Sequence, residues 1–153
     1  MTDMKKAKKI LPPTYFIILL LLSIGLHFIF PIKKIIFPPY TYFGWMLIIF
    51  GAVLNIWTDS LFKRKETTVK PFEKPTDFIA TGPFRISRHP MYLGMTAILL
   101  GVAILHGTLI TFIFPLIFIF LSEKLFIPHE ERNLEDVFGE NYINYKNRVR
   151  RWL

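Results

Sequence analysis

The chain contains no cysteine. That excludes a disulfide scaffold, a thiolate-held zinc or iron–sulfur centre, and a cysteine nucleophile. Acidic residues are few, 11 against 19 Lys and Arg, which leaves a formal net charge of +8. No glycine-rich run is built to cradle a phosphate, and no spacing of His, Asp and Glu suggests a metal. Charge of either sign is missing over long distances. None falls between Lys9 and Lys33, between Lys34 and Asp59, or between Arg88 and Glu123, gaps of 23, 24 and 34 residues.

Apolar residues fill those gaps. They make up 52% of the 153 residues, 16% are aromatic, and the mean hydropathy is +0.40 although 20% of the chain is charged. A wholly disordered chain is excluded, and the length suits one domain, 1–153. A membrane-spanning helix needs about 20 apolar residues. The first gap predicts a span over 13–30, and the second a span over 40–61 entered through Pro38-Pro39. The third gap would make a helix of about 51 Å, too long for a hydrocarbon core of about 30 Å. His106-Gly107-Thr108 is its natural break, giving a helical hairpin of spans 91–105 and 109–127. The expected fold is an all-α integral membrane protein of about four transmembrane helices. A cytoplasmic loop, 62–90, and a cytoplasmic amphipathic helical tail, 128–153, complete it.

The cations orient this arrangement. Four Lys (Lys5, Lys6, Lys8, Lys9) precede the first span, seven Lys and Arg lie between the second and third, and six lie at or after the end of the fourth. Together 17 of 19 fall on one side, and only Lys33 and Lys34 on the other. By the positive-inside rule both termini are expected in the cytoplasm. Topology and anionic headgroups then account for the basic surplus, and nucleic acid is not needed as a partner. The four leading Lys resemble a signal-peptide n-region. The apolar run is long, however, and no small-residue cleavage site follows, so a retained first span is expected. The Lys-, Ile- and Phe-rich composition points to a prokaryotic inner membrane.

The polar chemistry lies in the loop and the tail. Arg88-His89-Pro90 enters the third span, where Pro suits the first helical turn and the free N–H groups can hold an anion. The plainer alternative is an interfacial anchor. In the tail, Leu134, Phe138, Tyr142, Tyr145, Val149 and Trp152 are spaced for one helical face. Gly139 is a candidate break, and Arg151 falls elsewhere around that helix. Glu130-Glu131 stands where the fourth span ends, a costly place for acids unless they are solvated or partnered. Asn55 and Asp59 are weaker candidates, with Lys63 or Arg64 as partners for Asp59. His27 and His106 lie toward the far side.

Two runs carry a resemblance. The first, from Thr81 to Gly94, includes Arg88-His89-Pro90-Met91-Tyr92-Leu93-Gly94. The second opens on Glu130-Glu131 and continues through Leu134, Phe138-Gly139, Tyr142, Tyr145 and Val149 to Arg151. Together they resemble the motifs of the isoprenylcysteine carboxyl methyltransferase and phospholipid methyltransferase superfamily, over about residues 76–151. The resemblance implies a small multispanning enzyme using S-adenosylmethionine. It implies a cofactor pocket drawn from Thr76, Asp77, Phe78, Ile79, Phe84, Arg88, His89, Pro90, Met91, Tyr92 and Glu130. Glu130, Glu131 and His89 are its implied catalytic residues.

Under that resemblance a carboxylate such as Glu130 can accept from the cofactor's ammonium or ribose hydroxyls. Arg88 or His89 can hold its carboxylate, and Phe84 or Tyr92 can face the adenine or the sulfonium. A carboxylate or thiolate acceptor needs little acid–base help. An amine must lose a proton, and Glu131 or His89 is the expected helper. The partner is a lipophilic acceptor reaching the site from the bilayer, amid membrane lipids. Isoprenylcysteine enzymes carry Arg four residues before the first Glu, where this chain has Phe126, and the Gly-x-Gly of the phospholipid branch is absent. The acceptor therefore stays open among a prenylcysteine carboxylate, an amine headgroup and a small thiol. From another class, the alternative is a non-catalytic four-helix membrane protein binding anionic lipid or a partner.

Overall fold

A computed structural model describes residues 10–68 and 70–153. The expectations for Lys5, Lys6, Lys8 and Lys9 lie outside the described residues. Helix α1 is Pro12–Ile29 and α2 is Phe43–Arg64, the latter entered by a 3-10 turn at Tyr40–Tyr42. Helix α3 is Pro90–His106. A second 3-10 turn at Leu109–Phe112 leads into α4, Ile113–Leu121, and a π-helical stretch, Ser122–Phe126, passes directly into α5, Ile127–Phe138. Helix α6 is Glu140–Arg148. Three helical segments, Pro12–Ile29, Tyr40–Arg64 and Leu109–Phe138, are long and apolar enough to cross a membrane, and α3 is a further, shorter apolar helix. The fold is thus all-α and membrane-type, with exposed Trp45, Met46, Ile49, Phe50, Val53 and Trp57 on α2 providing a lipid-facing side.

Small residues set the closest helix pair. A Cβ added to Gly44 would stand 2.3 Å from the Gly101 carbonyl oxygen, and one on Gly51 would stand 2.4 Å from that of Gly94. Without a hydrophobic force between helices in lipid, such close backbone packing is what holds α2 to α3. The interior beyond this seam is aromatic and aliphatic. Leu19 of α1, Tyr92, Met95 and Leu99 of α3, Phe114 and Phe118 of α4, and Phe126 and Ile127 share one core.

The hairpin between α3 and α4 turns where the sequence breaks. Gly107 takes φ of 66° at the end of α3, the left-handed region that favours glycine. Its carbonyl accepts from the N–H of Ile35 at 2.7 Å and of Ile36 at 3.1 Å, tying the α1–α2 connection to this corner. His106 does more than turn the chain: its ring stacks on His27 at 4.1 Å, and His27 Nδ1 lies 3.2 Å from Thr108 Oγ1.

The predicted fourth span passes without a break into the tail helix. Instead of stopping at 127, the helix runs on through Glu130 and Glu131 to Phe138. Pro128 lacks the N–H that would continue the ladder, and the widened π turn just before it absorbs that gap. The tail then breaks at Gly139, with φ of 52°. Leu134, Phe138, Tyr142, Tyr145 and Val149 do share one apolar cluster, together with Phe78, Ile79 and Phe84 from the loop. Trp152 does not join them. Helix α6 ends at Arg148, Val149 is extended, and Trp152 packs against the transmembrane core instead.

Candidate active site

The site forms where four pieces of chain meet at one end of the bundle. Helix α3 starts at Pro90, so the preceding His89 sits at its N-cap, buried, with φ of −128°. The 3-10 turn Gly82–Arg85 brings Phe84 beneath α6, where Tyr145 donates its hydroxyl to the Phe84 carbonyl oxygen at 2.6 Å. The unbroken α4–α5 helix lifts Glu130 and Glu131 beside His89. Successive residues on a helix are about 100° apart, so the two carboxylates take different surroundings.

His89 lies between them. Its Nδ1 is 3.0 Å from Glu130 Oε2 and its Nε2 is 3.2 Å from Glu131 Oε1. Both ring nitrogens can donate only in the imidazolium form. Burial works against that charge, but the hydrogen bonds and negative charges of Glu130 and Glu131 outweigh it and raise the His89 pKa above its ordinary value. Tyr92 completes the Glu130 side, donating its hydroxyl to Oε1 at 2.8 Å. Glu131 receives Arg151 as a fork, from Nε to Oε1 at 3.2 Å and from Nη2 to Oε2 at 2.8 Å. Arg88 Nη2 stands 3.3 Å from the same Oε1.

A cavity of about 150 Å³ opens beside this cluster. Leu11, at the N-cap of α1, with Pro12 and Pro13 in its first turn, wall it on one side, and Asn133 and Leu134 from α5. Of the residues expected in a cofactor pocket, Asp77, Phe78, Ile79, Phe84, Arg88, His89, Pro90, Met91, Tyr92 and Glu130 line it. Thr76 does not; its hydroxyl donates to the Glu66 carbonyl in the loop. Glu131 does not line it either, being turned into the ion-pair cluster. Asp77 and Glu73 at the rim are held below the ordinary carboxylate range. The Phe78 N–H and Lys65 do this for Asp77, and Lys70 and Thr68 for Glu73.

Three buried polar atoms on the cavity residues have no hydrogen-bond partner among the described residues: Arg88 Nε, Arg88 Nη1 and the Tyr142 hydroxyl. Arg88 is only 9% exposed in its side chain. Burial pushes the Tyr142 hydroxyl pKa upward, so it remains a donor. Donors left unpaired in a buried wall are costly unless something else meets them.

The weaker candidates resolve simply. Asp59 pairs with Lys63 at 2.6 Å, an exposed contact one helical turn apart. Asn55 Oδ1 is buried against Gly94 without a hydrogen-bond partner among the described residues. Phe126 is buried against Tyr15, Phe72 and Tyr92, so no cation occupies that position. Sequence reasoning missed Arg151, Trp152 and Glu123. Arg151 Nη1 donates to Glu123 Oε2 at 2.7 Å and Trp152 Nε1 to Glu123 Oε1 at 2.6 Å. The available signal was Glu123 itself, an acid at the end of the longest uncharged run. Among the described residues no group of His, Asp and Glu is placed to hold a metal.

Comparisons with known proteins place the chain in a family. The phospholipid methyltransferase family model matches residues 40–141, two thirds of the chain. Protein-S-isoprenylcysteine O-methyltransferase of Saccharomyces cerevisiae is 32% identical over 114 residues, 71% of this chain and 46% of that protein. This chain therefore matches about half the length of that relative. An uncharacterized protein of Haemophilus influenzae is 40% identical over 63 residues, 41% of this chain and all of that protein. No solved structure matches. The chain belongs to the phospholipid methyltransferase family, within the superfamily of membrane methyltransferases that includes the isoprenylcysteine enzymes.

Proposed function

We propose that the protein transfers the methyl group of S-adenosylmethionine to a lipophilic acceptor, at the cytoplasmic face of a prokaryotic inner membrane. The observation that carries this reading is the pairing of unmatched buried donors, Arg88 Nε and Nη1 and the Tyr142 hydroxyl, with the Glu130 carboxyl group around one cavity. The cofactor has a carboxylate, an ammonium, a sulfonium and an aromatic base. These residues fit each part: Arg88 and Tyr142 suit a carboxylate, Glu130 an ammonium or hydroxyls, and Phe78, Phe84 or Tyr92 a flat ring or a cation. The cation distribution supports the cytoplasmic side.

When bound, the cofactor would supply a methyl group activated on a sulfonium: the acceptor would bond to that carbon as the carbon–sulfur bond breaks in line, and the neutral thioether would leave. The protein's part is to hold both reactants close and exclude water. Tyr92 and His89 fix the Glu130 carboxylate from two directions, so its remaining lone pairs keep a set direction. The imidazolium of His89 has no free lone pair, so it positions Glu130 rather than taking a proton. Glu131 is enclosed by Arg88, His89 and Arg151 and stands off the cavity wall. For an amine acceptor, Glu130 is therefore the group placed to receive a proton. For a carboxylate acceptor no proton transfer is required.

The relative from Saccharomyces cerevisiae supports a prenylcysteine-type carboxylate acceptor. The family model supports an amine headgroup, and buried Phe126 leaves no cation at that position to recognise a carboxylate. The deciding experiment presents radiolabelled cofactor and purified protein in nanodiscs with a prenylcysteine, phosphatidylethanolamine and an alkyl thiol. Label is expected in one of the three. Label in none, with the cofactor bound, would refute methyl transfer to these acceptors.

A further inference from the structure

The segment after α6 does not trail away. It crosses back over the start of α3 and is tied there by its own backbone. The Arg88 N–H donates to the Arg150 carbonyl at 3.0 Å, and the Ser87 hydroxyl donates to the Arg151 carbonyl at 3.0 Å. That same Ser87 oxygen accepts the His89 N–H at 3.2 Å. The strap and the N-cap of α3 are thus one hydrogen-bonded unit, with Ser87 buried between them. The strap's side chains reach the other way, toward α5 and the π turn. Trp152 and Arg151 together occupy both oxygens of Glu123.

Arg151 then has a defined geometry. Nη1 is held by Glu123, while Nε and Nη2 meet the two oxygens of Glu131. A guanidinium in this fork sets the plane of the carboxylate, which a point charge such as Lys does not. The plane matters because Glu131 Oε1 also accepts from His89 Nε2, and His89 Nδ1 in turn donates to Glu130 Oε2. We propose that Arg151 is a positioning residue of the site: through Glu131 and His89 it fixes the direction of the Glu130 carboxylate in the cavity wall. The link to ligand binding rests on the methyltransferase reading. The link from Arg151 to His89 does not.

The charged and titratable groups around this chain of contacts are few. Glu131 faces Arg88 and His89 at the start of α3, Arg151 on the strap, and Lys146 and Tyr142 on α6. Lys146 lies 3.8 Å from Glu131 and makes its closer ion pair with Glu135. His89 faces Glu130, Glu131 and the edge of Tyr92. Removing the Arg151 charge leaves Glu131 easier to protonate, which breaks its bond to His89 from the acid side.

The test uses the full chain in nanodiscs with isotope-labelled histidine. His89 ring signals are followed against pH without ligand, and S-adenosylmethionine affinity is measured near neutral pH. In Arg151→Met the acid-side change at His89 is expected about one pH unit higher than in wild type, with cofactor affinity about tenfold weaker. Arg151→Lys is expected to restore the titration but not the affinity, because the charge returns without the fork. Glu123→Gln, which loosens Arg151 without touching Glu131, is expected to weaken affinity a few-fold and decides the matter should Arg151→Met fail to fold. Wild-type titration and affinity in all three variants would overturn the proposal, and so would full recovery of affinity in Arg151→Lys. A wild-type protein that binds no cofactor would refute the methyltransferase reading alone, since the ligand-free titration still tests the link to His89.

Discussion

His89 and Glu130 meet at 3.0 Å, ring nitrogen to carboxylate, at the one place where the N-cap of α3 faces the continuous α4–α5 helix. They are 41 residues apart in sequence and come from the two separate motif runs. The contact gives Glu130 a set direction and favours the charged form of His89, and the predictions below follow from it.

The charge on His89 makes the site sensitive to alkali. Its folded-state pKa is raised by Glu130 and Glu131 despite burial, while in the unfolded chain it lies near 6.5. Its contribution to stability is therefore complete below about pH 6.5 and is lost as pH rises through the higher folded value. Thermal denaturation of wild type and His89→Gln should show a difference that shrinks from pH 6 to pH 9. A constant or growing difference would mean that His89 is neutral in the folded protein.

The two tail tyrosines should separate stability from binding. Tyr142 has a buried hydroxyl without a partner, whereas that of Tyr145 bonds to Phe84. Tyr145→Phe is expected to lower stability by about 1 kcal/mol. Tyr142→Phe is expected to leave stability unchanged or higher and to weaken cofactor binding. Truncating either to Ala should loosen α6 over the cavity and weaken cofactor retention. Melting curves with and without cofactor distinguish these outcomes.

The α2–α3 seam predicts a sharp steric effect. In Gly51→Ala the new methyl meets the Gly94 carbonyl oxygen, part of the backbone. The helices must separate, at a cost of about 1–3 kcal/mol. Gly25→Ala on α1 meets nothing within 4 Å and serves as the control. Equal melting temperatures for the two variants would show that the seam is not closely packed.

Much of this architecture is legible in the sequence because charge in a membrane helix is expensive. The three uncharged runs mark the spans, and Gly107 marks the hairpin. Where the sequence misleads, a local signal is overridden by neighbours. The uncharged run suggests a span ending at 127, yet the π turn at Ser122–Phe126 carries the helix on past Pro128. Trp152 fits the periodicity of the tail, yet Glu123 captures its indole N–H after α6 has ended. Many residues of the motif runs line the cavity, but periodicity does not say which of two adjacent acids faces it. That depends on Arg151, whose contact with Glu131 spans 20 residues and a change of chain direction.

The most direct measurement is equilibrium binding of S-adenosylmethionine to the purified protein in nanodiscs, with Glu130→Ala and His89→Ala beside wild type. The account predicts saturable one-to-one binding by wild type, competed by the demethylated cofactor and weakened at least tenfold in both variants. Absence of saturable binding, or variants indistinguishable from wild type, would contradict it.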